Sequence, residues 1–227
     1  MGDIVEVRNL HYAYEDGTEA LKGVDFRLAQ DARAALFGAN GSGKTTFVHH
    51  LNGILRGSGS VTIDGLPLTE KNLREIRRRV GLVFQDSDNQ LFMPSVLEDV
   101  AFGPMAAGMK AAEASDRARS ALDRVGLLHK ADKAPWHLSA GEKKRAAIAG
   151  ILATDARLLV LDEPTTFLDP PGRRSLADLL ETLPQAIILV THNKEFARRL
   201  TDDAVFFEDG RISGRGSVVQ ITERFGW

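Results

Sequence analysis

The sequence predicts an α/β fold with a mainly parallel sheet and a helical insertion, and three observations carry that reading. Short apolar runs of strand length stop at glycine or at acids, as in Ala34-Ala35-Leu36-Phe37 and Leu158-Leu159-Val160-Leu161. Runs of this kind suit strands buried on both faces. Stretches of helical spacing follow such runs, at Lys44 to about Leu55, Arg173 to Leu183 and Lys194 to Leu200. Strands alternating with helices need crossover connections, which give parallel pairing. The middle of the chain changes character: Val96 to Met109 and Ala111 to Val125 are alanine-rich with helical spacing, and Ser139 to Ala153 reads as a third helix.

The remaining elements follow in order. Ile4 to Leu10 alternates apolar and polar residues, as a half-buried strand does, and Leu21 to Leu28 is similar. The helix from Lys44 sets Phe47, Val48, Leu51 and Leu55 on one face. Arg56-Gly57-Ser58-Gly59 marks a turn, and Val61-Thr62-Ile63 and Gly81-Leu82-Val83-Phe84 are short strands. Ala186 to Val190 is a later strand of the same sheet. One domain over 1–227 is expected, with its core in 1–85 and 154–227 and the helical part in 86–153.

Bulk properties narrow the function. The 227 residues are 43% hydrophobic and 26% charged, an ordinary globular composition. A net charge of -2 argues against a strongly basic nucleic-acid binder. There is no cysteine, hence no disulfide framework and no thiolate chemistry. The start, Met1-Gly2-Asp3-Ile4-Val5-Glu6, lacks the basic opening and apolar run of a signal peptide. No apolar stretch approaches bilayer length. Work at a membrane would therefore mean docking on a partner that spans it.

Gly38-Ala39-Asn40-Gly41-Ser42-Gly43-Lys44-Thr45 fits the phosphate-binding P-loop, between a predicted strand and a predicted helix. The glycines let the backbone curl so that N–H groups around Asn40, Gly41, Ser42, Gly43 and Thr46 point at phosphate oxygens. The helix behind them adds the positive end of its dipole. Lys44 would reach the β- and γ-phosphates, and the Thr45 hydroxyl would ligate Mg2+. A glycine-rich turn before a helix is the plainer alternative, disfavoured by the Lys-Thr ending. This loop alone implies a nucleoside triphosphate and no particular reaction.

Asp162 and Glu163 close an apolar strand, and ligands of such sheets bind at the carboxyl ends of strands. Asp162 would hold Mg2+; Glu163 would orient and deprotonate an attacking water. The alternative is an ordinary strand followed by a polar turn at Pro164. Gln85 and His192 also follow predicted strands, which places them on the edge that carries the P-loop. Gln85 is a candidate ligand for Mg2+ and the lytic water. His192 is a candidate to contact the γ-phosphate and hold Glu163. Either residue taken singly reads as an unremarkable polar group; their joint placement raises them.

Leu138-Ser139-Ala140-Gly141-Glu142 resembles the signature motif of ABC ATPases, usually Leu-Ser-Gly-Gly-Gln. With it, nearly the whole chain resembles one ABC nucleotide-binding domain. The resemblance implies a RecA-like P-loop NTPase core, an N-terminal antiparallel β subdomain and an inserted α-helical subdomain. It implies that Tyr14 stacks on adenine, that Gln85 is the Q-loop glutamine and that His192 is the switch histidine. Thr166-Phe167-Leu168-Asp169 matches the D-loop. Ser139 and Gly141 would face an ATP bound to a second ATPase protomer, either another copy or a paralogue, so that two ATP molecules are sandwiched. Ala140, Glu142, Phe167 and Asn193 depart from the usual pattern. Ala140 forbids easy positive φ, with an expected loss of loop adaptability.

A narrower resemblance is to energy-coupling-factor ATPases. Phe84-Gln85-Asp86-Ser87-Asp88-Asn89-Gln90-Leu91-Phe92, His50-Leu51-Asn52-Gly53-Ile54-Leu55 and Gly141-Glu142-Lys143-Lys144-Arg145 carry it. Leu91-Phe92 and Phe102-Gly103-Pro104 resemble the cobalt and nickel branch more than the vitamin branch. The implied protein is an ATP-hydrolysing subunit on the cytoplasmic face of the cell membrane. It would dock transmembrane subunits near Gln85 to Phe102, with Asp86, Asp88, Glu98 and Asp99 pairing with arginines and Leu91, Phe92 and Met93 as apolar anchors. Competing classes are a conventional ABC transporter, a non-transport ABC ATPase and a P-loop kinase. The chain is too short for the coiled-coil insertion or paired ATPase domains of the second. The signature and His192 have no job in the third.

Overall fold

In a computed structural model the described residues are 2–87 and 90–227. The chain opens with two long strands, β1 (Asp3–Ala13) and β2 (Glu19–Ala29), then β3 (Arg33–Phe37) and helix α1 (Lys44–Leu51). Next come β4 (Ser58–Ile63), β5 (Leu66–Pro67), α2 (Leu73–Arg79) and β6 (Val80–Val83). Three helices follow, α3 (Val96–Ala106), α4 (Ala111–Arg124) and α5 (Ala140–Ala153). The chain continues with β7 (Leu158–Asp162), α6 (Pro170–Glu181), β8 (Ala186–Val190) and α7 (Lys194–Leu200). It closes with the hairpin β9 (Asp203–Glu208) and β10 (Arg211–Ser217) and helix α8 (Val218–Arg224).

Two compact units result: residues 1–81, 157–163 and 184–227, and residues 82–156 with 164–183. Residues 164–183, grouped with the core on sequence, belong to the second unit in this division. The first unit holds both sheets; the chain leaves it within β6. One sheet is antiparallel, in the order β2-β1-β4-β5. The other has the order β10-β9-β3-β8-β7-β6. Strands β9, β3, β8 and β7 pair in parallel, and the hairpin partner β10 runs antiparallel to its neighbour β9. Every residue of β7 and β8 is buried, which is why both read as unbroken apolar runs. Register aligns their ends: Val190 of β8 lies opposite Leu36 of β3 and Asp162 of β7. That alignment fixes one sheet edge, from which the P-loop, Glu163 and His192 all emerge.

Several helix ends differ from the sequence expectation, each for a local reason. Helix α1 stops at Leu51 instead of near Leu55. Gly53 turns left-handed at φ 69°, and the Ile54 and Leu55 amides fold back onto the His49 carbonyl. Leu55 therefore leaves the helical face and is half-buried. Helix α3 ends at Ala106, with Gly108 left-handed at φ 98°. Helix α6 begins at Pro170, earlier than Arg173, because Asp169 caps the Gly172 N–H at 2.8 Å and the two prolines fit the first turn. Helix α2 and the hairpin β9–β10 with α8 were not assigned from the sequence.

In the second unit, α3, α4 and α5 pack on one another through Val96, Val100, Ala114, Ala118, Leu122 and Ile148, all fully buried. Gly103 permits close approach to Thr154: a Cβ there would lie 2.6 Å from its methyl.

Candidate functional site

The loop after β3 curls as its glycines require. Gly38 has φ 140°, and a Cβ on it would fall 2.2 Å from the Phe207 carbonyl oxygen. Gly43 has φ 105° and caps α1. Lys44 is buried, and its Nζ donates to the carbonyls of Gly38 at 2.6 Å and Ala39 at 2.9 Å and to Ser42 Oγ at 3.4 Å. The ammonium thus lies inside the curl of the loop. Burial lowers its pKa, while the negative charges of Glu163 and Asp162 pull it back up.

At the next residue Thr45 Oγ1 donates to Asp162 Oδ2 at 2.9 Å. A hydroxyl from the P-loop helix and a carboxylate from the end of β7 therefore meet directly. These are two hard oxygen ligands of the kind that a magnesium ion takes alongside phosphate oxygens and water. Tyr14 stands in the turn between β1 and β2, closed by the Tyr14 N–H donating to Thr18 at 3.0 Å. Its hydroxyl lies 2.8 Å from Thr46 Oγ1, and its ring meets Tyr12 edge-on at 5.0 Å. Tyr14 as a whole is 42% exposed.

Glu163 sits just beyond β7 in the left-handed region, φ 46°, an unusual conformation for a residue with a Cβ. Its N–H donates to the Val190 carbonyl at 2.9 Å, so the parallel ladder continues one residue past the strand. The turn carries its carboxylate toward His192. Nε2 of His192 lies 3.2 Å from Oε1, and the His192 N–H donates to Oε2 at 3.4 Å. Burial lowers the His192 pKa first, and the Lys44 charge adds to this, against the pull of Asp162. The imidazole is thereby favoured in its neutral form near neutral pH. Asn193, the departure next to it, caps α7 through the Phe196 N–H at 2.9 Å, a task asparagine and aspartate share.

The second unit positions the other predicted residues. Ser139 caps α5 and forms a capping box with Glu142. The Ser139 N–H donates to Glu142 Oε2 at 2.9 Å, and Lys130 Nζ reaches Oε1 at 2.5 Å. Burial opposes ionisation of Glu142, but Lys130 and the Ser139 N–H outweigh it and hold the pKa below the usual range. The extra charge of Glu142 is thus engaged within its own helix end. Ala140 is the first residue of α5 and has no positive φ there. A Cβ on Gly141 would meet only the Leu168 side chain, at 3.6 Å. Phe167 has φ 66° and is 77% exposed.

Lys144 was not singled out on sequence. It is buried, and its Nζ donates to the carbonyls of Phe84 at 2.8 Å and Gln85 at 2.5 Å. This fixes the backbone from which Gln85 projects. The signal was present: Lys144 shares the buried stripe of α5 with Ala147, Ile148 and Ile151. A second anchor is Gln90, whose side chain bonds the Leu82 carbonyl at 3.0 Å and the Phe84 N–H at 3.2 Å. In the predicted docking segment, Asp88 and Asn89 lie outside the described residues. Asp99 was expected to face a partner's arginine. In this chain it accepts from the Phe92 and Met93 N–H groups at 3.1 and 3.0 Å, because the loop has amides of its own to satisfy. Phe92, 65% exposed, packs edge-on against Phe102, 45% exposed, at 5.3 Å.

A P-loop opening a helix at the edge of a parallel sheet, with acids ending the neighbouring strand, defines a nucleoside-triphosphatase. Residues 21–166 match the family model described as ABC transporter. The chain is 48% identical to the energy-coupling factor transporter ATP-binding protein EcfA of Methanosphaera stadtmanae, over 97% of this chain and 82% of that one. Among solved structures it is similar to cbiO1 from Clostridium perfringens, described as part of the ABC transporter complex cbiONQ. The TM-score is 0.87 at 38% identity, covering 100% of this chain and 92% of that one. It is also similar to the dimeric MJ0796, a bacterial ABC transporter cassette, with a TM-score of 0.84 at 27% identity over 94% and 98% of the two chains. The chain belongs to the ABC transporter ATPase family, as an ATP-binding, ATP-hydrolysing subunit. No helix among the described residues is long and apolar enough to cross a membrane.

Proposed function

We propose that this ATPase powers an energy-coupling-factor importer of cobalt or nickel, and that Glu163 and His192 carry its hydrolytic step. The observation behind the chemical part is the doubly contacted carboxylate of Glu163, held by the N–H and near the Nε2 of His192. A carboxylate so oriented can take the proton of a water as its oxygen bonds to the γ-phosphorus and ADP departs. His192 holds that carboxylate and presents a neutral imidazole toward the γ-phosphate. Lys44, now satisfied by loop carbonyls, exchanges them for β- and γ-phosphate oxygens. Backbone N–H groups of Asn40, Gly41, Ser42, Gly43 and Thr46 complete the cradle, and Tyr14 stacks on adenine. Mg2+ would be held by Thr45 and Asp162, with Gln85 a further ligand on the strength of its sequence position; when bound it supplies charge neutralisation at the phosphate.

Ser139, Gly141 and Asp169 are proposed to serve an ATP held mainly by a second ATPase protomer, which is either another copy or a paralogue. The exposed pair Phe92 and Phe102 supports a docking surface near Gln85 to Phe102 for a short helix of a membrane subunit. The chain would then sit on the cytoplasmic face of the membrane. Support for the cargo comes from Leu91-Phe92 and Phe102-Gly103-Pro104, and from likeness to a member of the cbiONQ complex. The test is Glu163→Gln. ATP binding should persist while hydrolysis falls about 10²-fold or more, the usual loss for a general base. Saturating MgATP should drive the variant to dimers on a sizing column and ADP should not. Normal turnover would refute the role of Glu163.

A further inference from the structure

Helix α8 ends in a way that aims one side chain. Phe225 is its last capping residue and Gly226 adopts φ 65°. The Trp227 N–H then donates to the Thr222 carbonyl at 2.8 Å and the Gly226 N–H to the Glu223 carbonyl at 3.3 Å. This is the paired bonding of a glycine-terminated helix, and it folds the chain back on itself. Phe225 stacks on Phe206 of β9, ring centres 4.0 Å apart and planes 1° from parallel. Trp227 meets the same Phe206 edge-on at 5.6 Å. It also stacks on the imidazole of His192, 5.2 Å away with the planes 29° apart.

From this we infer that Trp227 is a positioning residue for hydrolysis, its indole supporting the His192 ring in the orientation that brings Nε2 to Glu163. The inference rests on the role proposed for His192. The His192 side chain is 40% exposed and otherwise has freedom to turn about its side-chain bonds toward solvent. One flank faces Glu163, and the indole covers another. The indole is itself placed by the glycine turn and by its edge-on contact with Phe206. An aromatic pair of this kind biases the rotamer by an amount worth a few-fold in rate.

The test uses the full chain and a double-mutant cycle. Trp227→Ala should lower kcat about three- to tenfold with the KM for ATP nearly unchanged, and Trp227→Phe should restore most of it. In a His192→Ala background, Trp227→Ala should have no further effect on kcat. A second reading uses fluorescence, with Trp136→Phe leaving Trp227 as the only tryptophan. Replacing His192 by Ala should then expose the indole and shift its emission to the red. If Trp227→Ala slows His192→Ala protein as much as the parent, Trp227 acts through stability and the inference is wrong. No red shift, or unchanged kcat in Trp227→Ala, overturns it also. Unchanged hydrolysis in His192→Ala alone would instead remove the proposed role of His192 and the inference with it.

Discussion

Lys144→Met tests how the Q-loop glutamine is held. Methionine keeps most of the stem and removes the ammonium from a site that is almost wholly buried. The change forfeits charge-assisted bonds to the Phe84 and Gln85 carbonyls, at 2.8 and 2.5 Å. Bonds to a charged group contribute about 1.5–3 kcal/mol each. Against this, the variant no longer has to desolvate an ammonium, a cost of several kcal/mol. The carbonyls decide the balance, since two part-buried acceptors without their donor cost up to about 1–3 kcal/mol apiece. A net loss of about 2–4 kcal/mol follows, which for a chain of this length lowers Tm by roughly 5–15 °C. Thermal unfolding and urea titration measure it. The backbone at Gln85 should loosen as well, so kcat should fall while ATP affinity holds. A variant within about 2 °C of the parent with full turnover would show that Lys144 does not anchor this segment.

Two further outcomes concern the first unit. His50 is buried with Nδ1 bonded to the Thr46 carbonyl at 2.7 Å, and burial first, then the neighbouring His49, lowers its pKa despite that bond. The unfolded chain binds the proton more readily, so stability is complete above pH ~6.5 and falls below it, by up to about 1.4 kcal/mol per pH unit for one histidine. His50→Asn keeps a donor near the carbonyl, and urea midpoints between neutral and mildly acid pH should show a shallower slope; an unchanged slope would count against it. In the P-loop, Gly38→Ala drives a Cβ to 2.2 Å from the Phe207 oxygen, whereas a Cβ on Gly41 meets nothing within 4 Å and bears only the strain of φ 78°. Gly38→Ala should abolish ATP binding and Gly41→Ala should cost about 1–2 kcal/mol of stability, as binding and unfolding titrations can show.

Much of this site was written in contiguous sequence. The P-loop, the acid pair after Leu158 to Leu161 and the capped helix at Ser139 each lie within a few residues, because strand, turn and cap chemistry act over that range. The parallel sheet followed from alternation of strands and helices. Tertiary structure decided which distant groups meet. Register alone places Val190 opposite Leu36 and Asp162, and so brings His192 to Glu163 across 29 residues. Trp227 reaches His192 only because Gly226 folds back and Phe206 waits on another strand. Asp99 serves two nearby amides and Lys144 faces inward on α5, contacts that their residue types alone do not specify. A residue's type limits the bonds it can make, whereas the choice among partners is set by packing and register, which no short stretch of sequence contains.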